Sequence, residues 1–126
     1  MKAMDAMRLA IYTTDSAEAE RLSRWTEEYF ARRGGGTETV LIGSAARFRE
    51  EFRPGRFGGF LVALGDTEGF LAARCVREAD RGCRVVLIDD TERYAIRGLR
   101  IHLTDFLLRP LVKARFFAAL DRVCGG

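Results

Sequence analysis

The sequence predicts a three-layer α/β sandwich on a five-stranded parallel sheet, and three observations carry that expectation. Five short apolar runs are spaced along the chain, each closed by turn residues or charges. Between and after them lie five segments of helical character, in strict alternation with the runs. The runs are continuous rather than alternately apolar and polar, as strands covered on both faces require.

The elements follow in order. "MRLAIYTT" (7–14) reads as the first strand. Asp15 with Glu18 three residues later makes a capping-box pattern, and the helix it opens carries the stripe Ala19, Leu22, Trp25 and Tyr29. Gly34, Gly35 and Gly36 stop it. "TETVLIGS" (37–44) is the second strand, and "AARFREEF" a short helix halted by Pro54 and Gly55. Phe60 to Leu64 form the third strand, running into Gly65 and Asp66. "TEGFLAARCVREAD" is the third helix, "CRVVLIDD" (83–90) the fourth strand, and "TERYAIRGLRI" the fourth helix. "DFLLRP" is the fifth strand. Pro110 suits the first turn of a last helix, whose stripe is Val112, Phe116, Ala119, Leu120 and Val123.

Five strands in this alternation most often adopt the flavodoxin-like order 2-1-3-4-5, with ligands at the carboxyl edge of the sheet. That edge collects Thr13, Thr14 and Asp15, then Gly65 and Asp66, then Asp89 and Asp90, then Arg109.

Bulk properties narrow the function classes. At 126 residues, 48% hydrophobic and 31% charged, the chain suits a single globular domain spanning 1–126. No apolar stretch has the length of a membrane span. Asp5 and Arg8 interrupt the N-terminal apolar stretch, so no signal peptide and a cytoplasmic location are expected. The formal charge is +3, and nineteen of the twenty-one basic residues are arginine. Arg47, Arg49, Arg53 and Arg56 are expected on a solvated helix face diluted by Glu50 and Glu51, rather than in a nucleic-acid patch. Cys75, Cys83 and Cys124 form no CxxC spacing and are expected to be packing residues. His102 is the single histidine, at the end of the fourth helix, where a positive φ is anticipated. No metal and no cofactor are expected.

The tail "ERYAIRGLRIHLTDFLLRPLVKARFFAALDRV" resembles the last third of a response-regulator receiver domain, most of all the LytTR-type receivers, with Tyr94, Ala95, Asp105, Phe106, Leu107, Leu108 and Pro110 in register. "FLVALGDTEGFLAARCVREAD" is similar to the family's third strand and helix. The resemblance implies an acidic pair for Mg²⁺ after strand one, a phospho-accepting Asp after strand three, a Thr or Ser after strand four, and an aromatic residue and a Lys before the strand-five Pro. At those places stand Thr13 and Thr14, Gly65, Asp89, Phe106, and Arg109 before Pro110. The site is thus degenerate: glycine has no nucleophile and threonine is a poor substitute for a Mg²⁺ carboxylate. A register slip of one would make Asp66 the acceptor.

Asp66, Asp89 and Asp90 place acidic groups near Arg109 and read as solvated strand ends and caps, with Asp90 a candidate N-cap, unless one of them pairs with Arg109. Asp89 and Arg109 end neighbouring strands about 5 Å apart, and the expected lock is a pair between them, or failing that with Asp66. The Arg109–Pro110 bond is expected to be cis by resemblance. The resemblance also implies a homodimer through helix 4, strand 5 and helix 5, on a face offering Tyr94, Leu99, Asp105, Phe117 and Asp121.

The favoured function is an atypical receiver-like regulatory domain of a two-component or transcription regulator, acting by protein–protein interaction without phosphorylation of an aspartate. It would contact a sensor or output protein and meet DNA only through a further domain. The alternatives are a phospho-accepting receiver using Asp66 and a flavodoxin-like binder of FMN or a nucleotide at the Thr13, Thr14 and Ser16 hydroxyls. No Ser/His/Asp, Cys/His or paired-carboxylate arrangement supports an enzyme, so no catalytic residue is expected.

Overall fold

The computed structural model describes residues 7–125, and Asp5 lies outside them. The element order is β1 (Met7–Tyr12), α1 (Ser16–Arg33), β2 (Thr37–Ile42), α2 (Ala45–Glu51), β3 (Gly59–Val62), α3 (Asp66–Ala79), β4 (Arg84–Asp89), α4 (Ala95–Arg100), β5 (Asp105–Leu108) and α5 (Lys113–Val123). The strands form one parallel sheet in the order 2-1-3-4-5. This is the flavodoxin-like arrangement that the alternation of elements predicts.

Two apolar layers flank the sheet. Leu9, Ile11, Leu61, Val86 and Ile88 point one way, toward Leu22, Tyr29 and Phe30 of α1 and Phe116, Ala119, Leu120 and Val123 of α5. Ala10, Tyr12, Phe60, Val62, Val85 and Leu87 point the other, toward Phe70, Ala73 and Val76 of α3 and Phe48 of α2. Period-two alternation along each strand builds both layers, since neighbouring side chains leave opposite faces. β1, β3 and β4 are covered on both faces, whereas Glu38 and Leu41 of the edge strand β2 are exposed. Phe60 meets Phe48, Phe52 and Phe57 edge-on, with centroids 5.4–5.8 Å apart, a geometry that aligns ring edges with ring faces.

Several boundaries differ from expectation. β1, β2 and β3 end at Tyr12, Ile42 and Val62, leaving Thr13, Thr14, Gly43, Ser44 and the apolar Ala63 and Leu64 in the loops that make the carboxyl edge. α4 starts only at Ala95, with Tyr94 as its N-cap, so Asp90 caps nothing. α5 starts at Lys113, so Pro110 precedes the helix and Val112 is exposed rather than part of the core stripe. The Arg109–Pro110 bond is cis, and His102 has φ +60°.

The arginines of the α2 region follow the solvated reading: Arg47 pairs with Glu50 and Glu51, and Arg56 with Glu51. Cys83 is a packing residue, and burial pushes the pKa of its thiol up to about 12. Cys75 is exposed, contrary to expectation, because it lies on the outer side of α3.

Candidate functional site at the carboxyl edge of the sheet

The centre of the site is Arg109, delivered by the end of β5. Its Nε donates to Glu18 Oε2 at 2.9 Å and its Nη2 to Glu18 Oε1 at 2.8 Å, a bidentate fork. Nη2 also donates to the Ala63 carbonyl at 2.6 Å, and Nη1 to Asp90 Oδ1 at 3.3 Å. The hydrogen bonds to Glu18, opposed by partial burial, raise the guanidinium's pKa above its ordinary value. Glu18 is 5% exposed, which makes it one of few charged groups buried among the described residues. Burial of Glu18 and part-burial of Arg109 weaken water's screening and strengthen the pair, but leave either partner costly to strand.

The expected Asp89–Arg109 pair is therefore not formed, and Asp66 does not replace it. Asp89 has another task. Gly65, the N-cap of α3, has no side chain to satisfy the first helical N–H groups. Asp89 Oδ1 reaches across from β4 and accepts from the Asp66 N–H at 3.0 Å and from the Asp90 N–H at 2.7 Å. It thereby ties together the β3–α3 and β4–α4 loops. Its Oδ2 is buried without a partner among the described residues.

Gly65 adopts φ +81°, ψ 157°, a region open essentially to glycine alone. A Cβ built on it stands 3.7 Å from Arg109 Nη1, 3.7 Å from Asp89 Oδ1 and 3.8 Å from Asp90 Oδ2. A side chain at this position would point into the middle of the site. Gly65 itself, the residue expected at the acceptor's place, brings no side chain to these three charged groups. Asp66 is turned away: its carboxylate is 73% exposed and pairs with Arg93 at 3.2 Å. A shallow cavity of about 360 Å³, lined by Leu64, Gly65, Asp66, Asp89, Asp90, Thr91 and Arg93, opens beside them.

The remaining predicted residues divide. Thr13 is buried, and its hydroxyl donates to Glu18 Oε1 at 3.3 Å while accepting from the Asp15 N–H. Thr14 is exposed and outside the cluster. Phe106 is half-buried and packs with the α3-side core. Pro110 is exposed on the rim. A receiver's Mg²⁺ does not fit this edge. Thr13 and Thr14 bring no charge, both Glu18 oxygens are held by Arg109, and no group of three or more His, Cys, Asp or Glu among the described residues is placed to hold a metal.

The residues expected on a dimer face are also dispersed. Tyr94 is buried: it stacks on Phe70 at 4.9 Å, and its hydroxyl lies 2.6 Å from the Thr67 hydroxyl. Phe117 packs edge-on against Tyr29 at 5.5 Å, and Asp121 accepts from the Tyr29 hydroxyl at 2.5 Å, so both serve the α1–α5 contact. Burial and that carboxylate push the pKa of the Tyr29 hydroxyl up to about 12. Asp105 is nearly buried and faces Arg115 and Arg122, while Leu99 is 73% exposed.

Sequence reasoning missed Glu18 and, as a partner of Arg109, Asp90. A signal for Glu18 was present: it stands one turn before Leu22, on the side of α1 that also buries Thr26, Tyr29 and Phe30. Asp15 performs its half of the capping box by accepting from the Ala17 and Glu18 N–H groups. The reciprocal half is absent, because the Glu18 carboxylate turns to Arg109 and the Asp15 N–H goes to Thr13.

No protein-family model matches the chain, and no curated protein matches it in sequence. Solved structures do. The non-phosphorylated HemR receiver domain from Leptospira biflexa is similar at a TM-score of 0.78 and 17% identity, over 93% of each chain. A response regulator from Thermotoga maritima reaches 0.78 at 10% identity, over 96% of this chain and 99% of that one. A protein described as a putative CpaE2 pilus assembly protein of Sinorhizobium meliloti reaches 0.70 at 17% identity, over 93% of this chain and 99% of that one. The fold of this chain is therefore that of the response-regulator receiver domains, and its carboxyl edge carries Gly65 and a Glu18–Arg109 pair.

Proposed function

We propose that residues 1–126 act as one receiver-like signalling domain, and that it works by protein–protein contact without phosphorylation of an aspartate. The observation that carries this reading is the Glu18–Arg109 fork. A receiver's strand-five cation is free to meet a phosphoryl group, whereas Arg109 has a permanent carboxylate on it. A phosphate would have to displace that carboxylate and then lie beside Asp89 and Asp90. Two unit charges 4 Å apart interact by about 4 kcal/mol at an effective dielectric near 20. The pair thus holds the edge in one arrangement, and neither a cofactor nor catalysis is invoked. The domain fits a cytoplasmic two-component or transcription regulator, with a sensor or output protein as partner. Among the described residues no helix is long and apolar enough to cross a membrane.

Incubation with acetyl phosphate and Mg²⁺ should leave the intact mass unchanged. A phosphoryl adduct on the parent that is missing from Asp66→Asn would identify Asp66 as a displaced acceptor and overturn the reading.

Self-association belongs to the same proposal, on the face of α4, β5 and α5. The apolar anchors there are Ile96, Leu99, Leu108 and Val112, which are 68, 73, 40 and 59% exposed. Such anchors with Arg115 at the rim suit a symmetric contact. Sedimentation at tens of micromolar should show dimer, reduced in Leu99→Ser/Val112→Ser, whereas a monomer at every concentration would remove the claim. Tyr94→Ala should act differently, lowering stability because Tyr94 is core.

A further inference from the structure

On the side of the molecule between α3 and α4, three arginines gather around one aromatic pair. Arg74 lies 5.9 Å from the Phe70 ring centroid, and Arg93 and Arg97 lie 5.5 and 5.9 Å from that of Tyr94. The two rings stack 4.9 Å apart, so the three guanidinium groups share one small patch. Arg93 has an exposed partner in Asp66 at 3.2 Å, whereas Arg74 and Arg97 have no carboxylate within 4 Å among the described residues. The rings hold the cations in place through their faces, but they do not neutralise them. Beside the patch, α3 turns Leu71 outward at 45% exposure, with Cys75 one turn on and an open groove between them and Glu78.

We infer that this α3–α4 surface docks an acidic amphipathic segment of another protein, carboxylates on Arg74, Arg93 and Arg97 and apolar side chains on Leu71. Two features select this occupant. The positive charge disfavours a symmetric contact with a second copy, which would bring like charges together. The exposed Leu71 and its groove give an apolar stripe something to bury, and a nucleic-acid backbone has no use for them. The arginines are positioned before binding by their rings, so less ordering is left to the partner. Arg97 adjoins Ile96 of the face proposed above for self-association, but Arg74, Leu71 and their groove belong to α3, and the inference does not rest on that self-association.

The test uses the full chain and a synthetic peptide with leucines along one helical face and glutamates on the other. The comparators are the same peptide with lysines and a short duplex oligonucleotide. Fluorescence anisotropy at low and physiological salt should show the glutamate peptide binding at least about tenfold more tightly than the lysine peptide. Arg74→Glu/Arg97→Glu should lose about tenfold or more of that affinity, and Leu71→Ser should weaken it as well. The same two charge reversals at Arg24 and Arg32 on α1 should leave it nearly unchanged. Far-UV circular dichroism and sedimentation should show every variant folded and assembled as the parent is. Equal binding of both peptides, tighter binding of the duplex, indifference to the Arg74/Arg97 reversal, or loss of dimer in that variant would each overturn the inference.

Discussion

Glu18→Gln is expected to lower stability by about 2–3 kcal/mol, a large effect for a residue in the first turn of a helix. Removing one partner of a buried ion pair costs about 3–5 kcal/mol, because the other is left charged and desolvated. The Arg109 side chain keeps 21% of its exposure and its contacts to Ala63 and Asp90, so the lower figure applies. The new side-chain amide would keep one acceptor and set an NH₂ group against a guanidinium that has only donors. Urea unfolding of the parent, Glu18→Gln, Arg109→Met and the double variant would measure the coupling. The double variant should be less destabilised than the sum of the singles, by about 1–3 kcal/mol. Additive effects would mean that the fork contributes nothing beyond packing.

Gly65→Asp, which places a carboxylate at the position that the resemblance to receivers assigns to their acceptor, is expected to destabilise rather than to support phosphoryl chemistry. At φ +81° and ψ 157° any side chain is strained, by about 1–3 kcal/mol. Around the new Cβ there is ordinary space but strong charge, with Asp89 Oδ1 and Asp90 Oδ2 at 3.7 and 3.8 Å against a single favourable neighbour, Arg109 Nη1 at 3.7 Å. Gly65→Ala isolates the backbone strain, and the difference between the two variants isolates the charge. A melting temperature lower by roughly 5–15 °C is expected for Gly65→Asp. Even so, the variant should take no phosphoryl group from acetyl phosphate, because Glu18 still covers Arg109 and Thr13 and Thr14 bring no charge to hold a metal ion. Unchanged stability would show that the loop relaxes freely and that the backbone geometry at Gly65 is not a constraint.

The fold was legible because each strand is a short apolar run and the first three helices each have their own stop: Gly34 after α1, Pro54 after α2, Gly82 after α3. The order of the strands follows from parallel pairing and from the resemblance, and both agree with the sheet observed. The site was legible in part. Gly65, Asp89 and Arg109 do converge, because strand ends in a parallel sheet must share an edge. Their pairing was not legible. Glu18 reads as half of a capping box, a local role, and nothing local separates a carboxylate that turns back to its N-cap from one that reaches β5. Tyr94 reads as exposed on a helix that runs in full from Thr91. In fact α4 begins at Ala95, and the preceding turn folds Tyr94 onto Phe70. Asp90 lost its capping role for the same reason and became free to meet Arg109.

The most direct measurement of the central claim is a backbone-amide NMR titration with Mg²⁺ and beryllofluoride, a mimic of a carboxyl-bound phosphoryl group. The amides of Ala63 to Asp66 and of Asp89 to Arg109 should not move beyond the effect of added salt, with the Glu18–Arg109 fork intact throughout. A saturable, Mg²⁺-dependent shift at Gly65, Asp66 and Asp89, abolished by Asp66→Asn, would contradict that claim and return the domain to the phospho-accepting receivers.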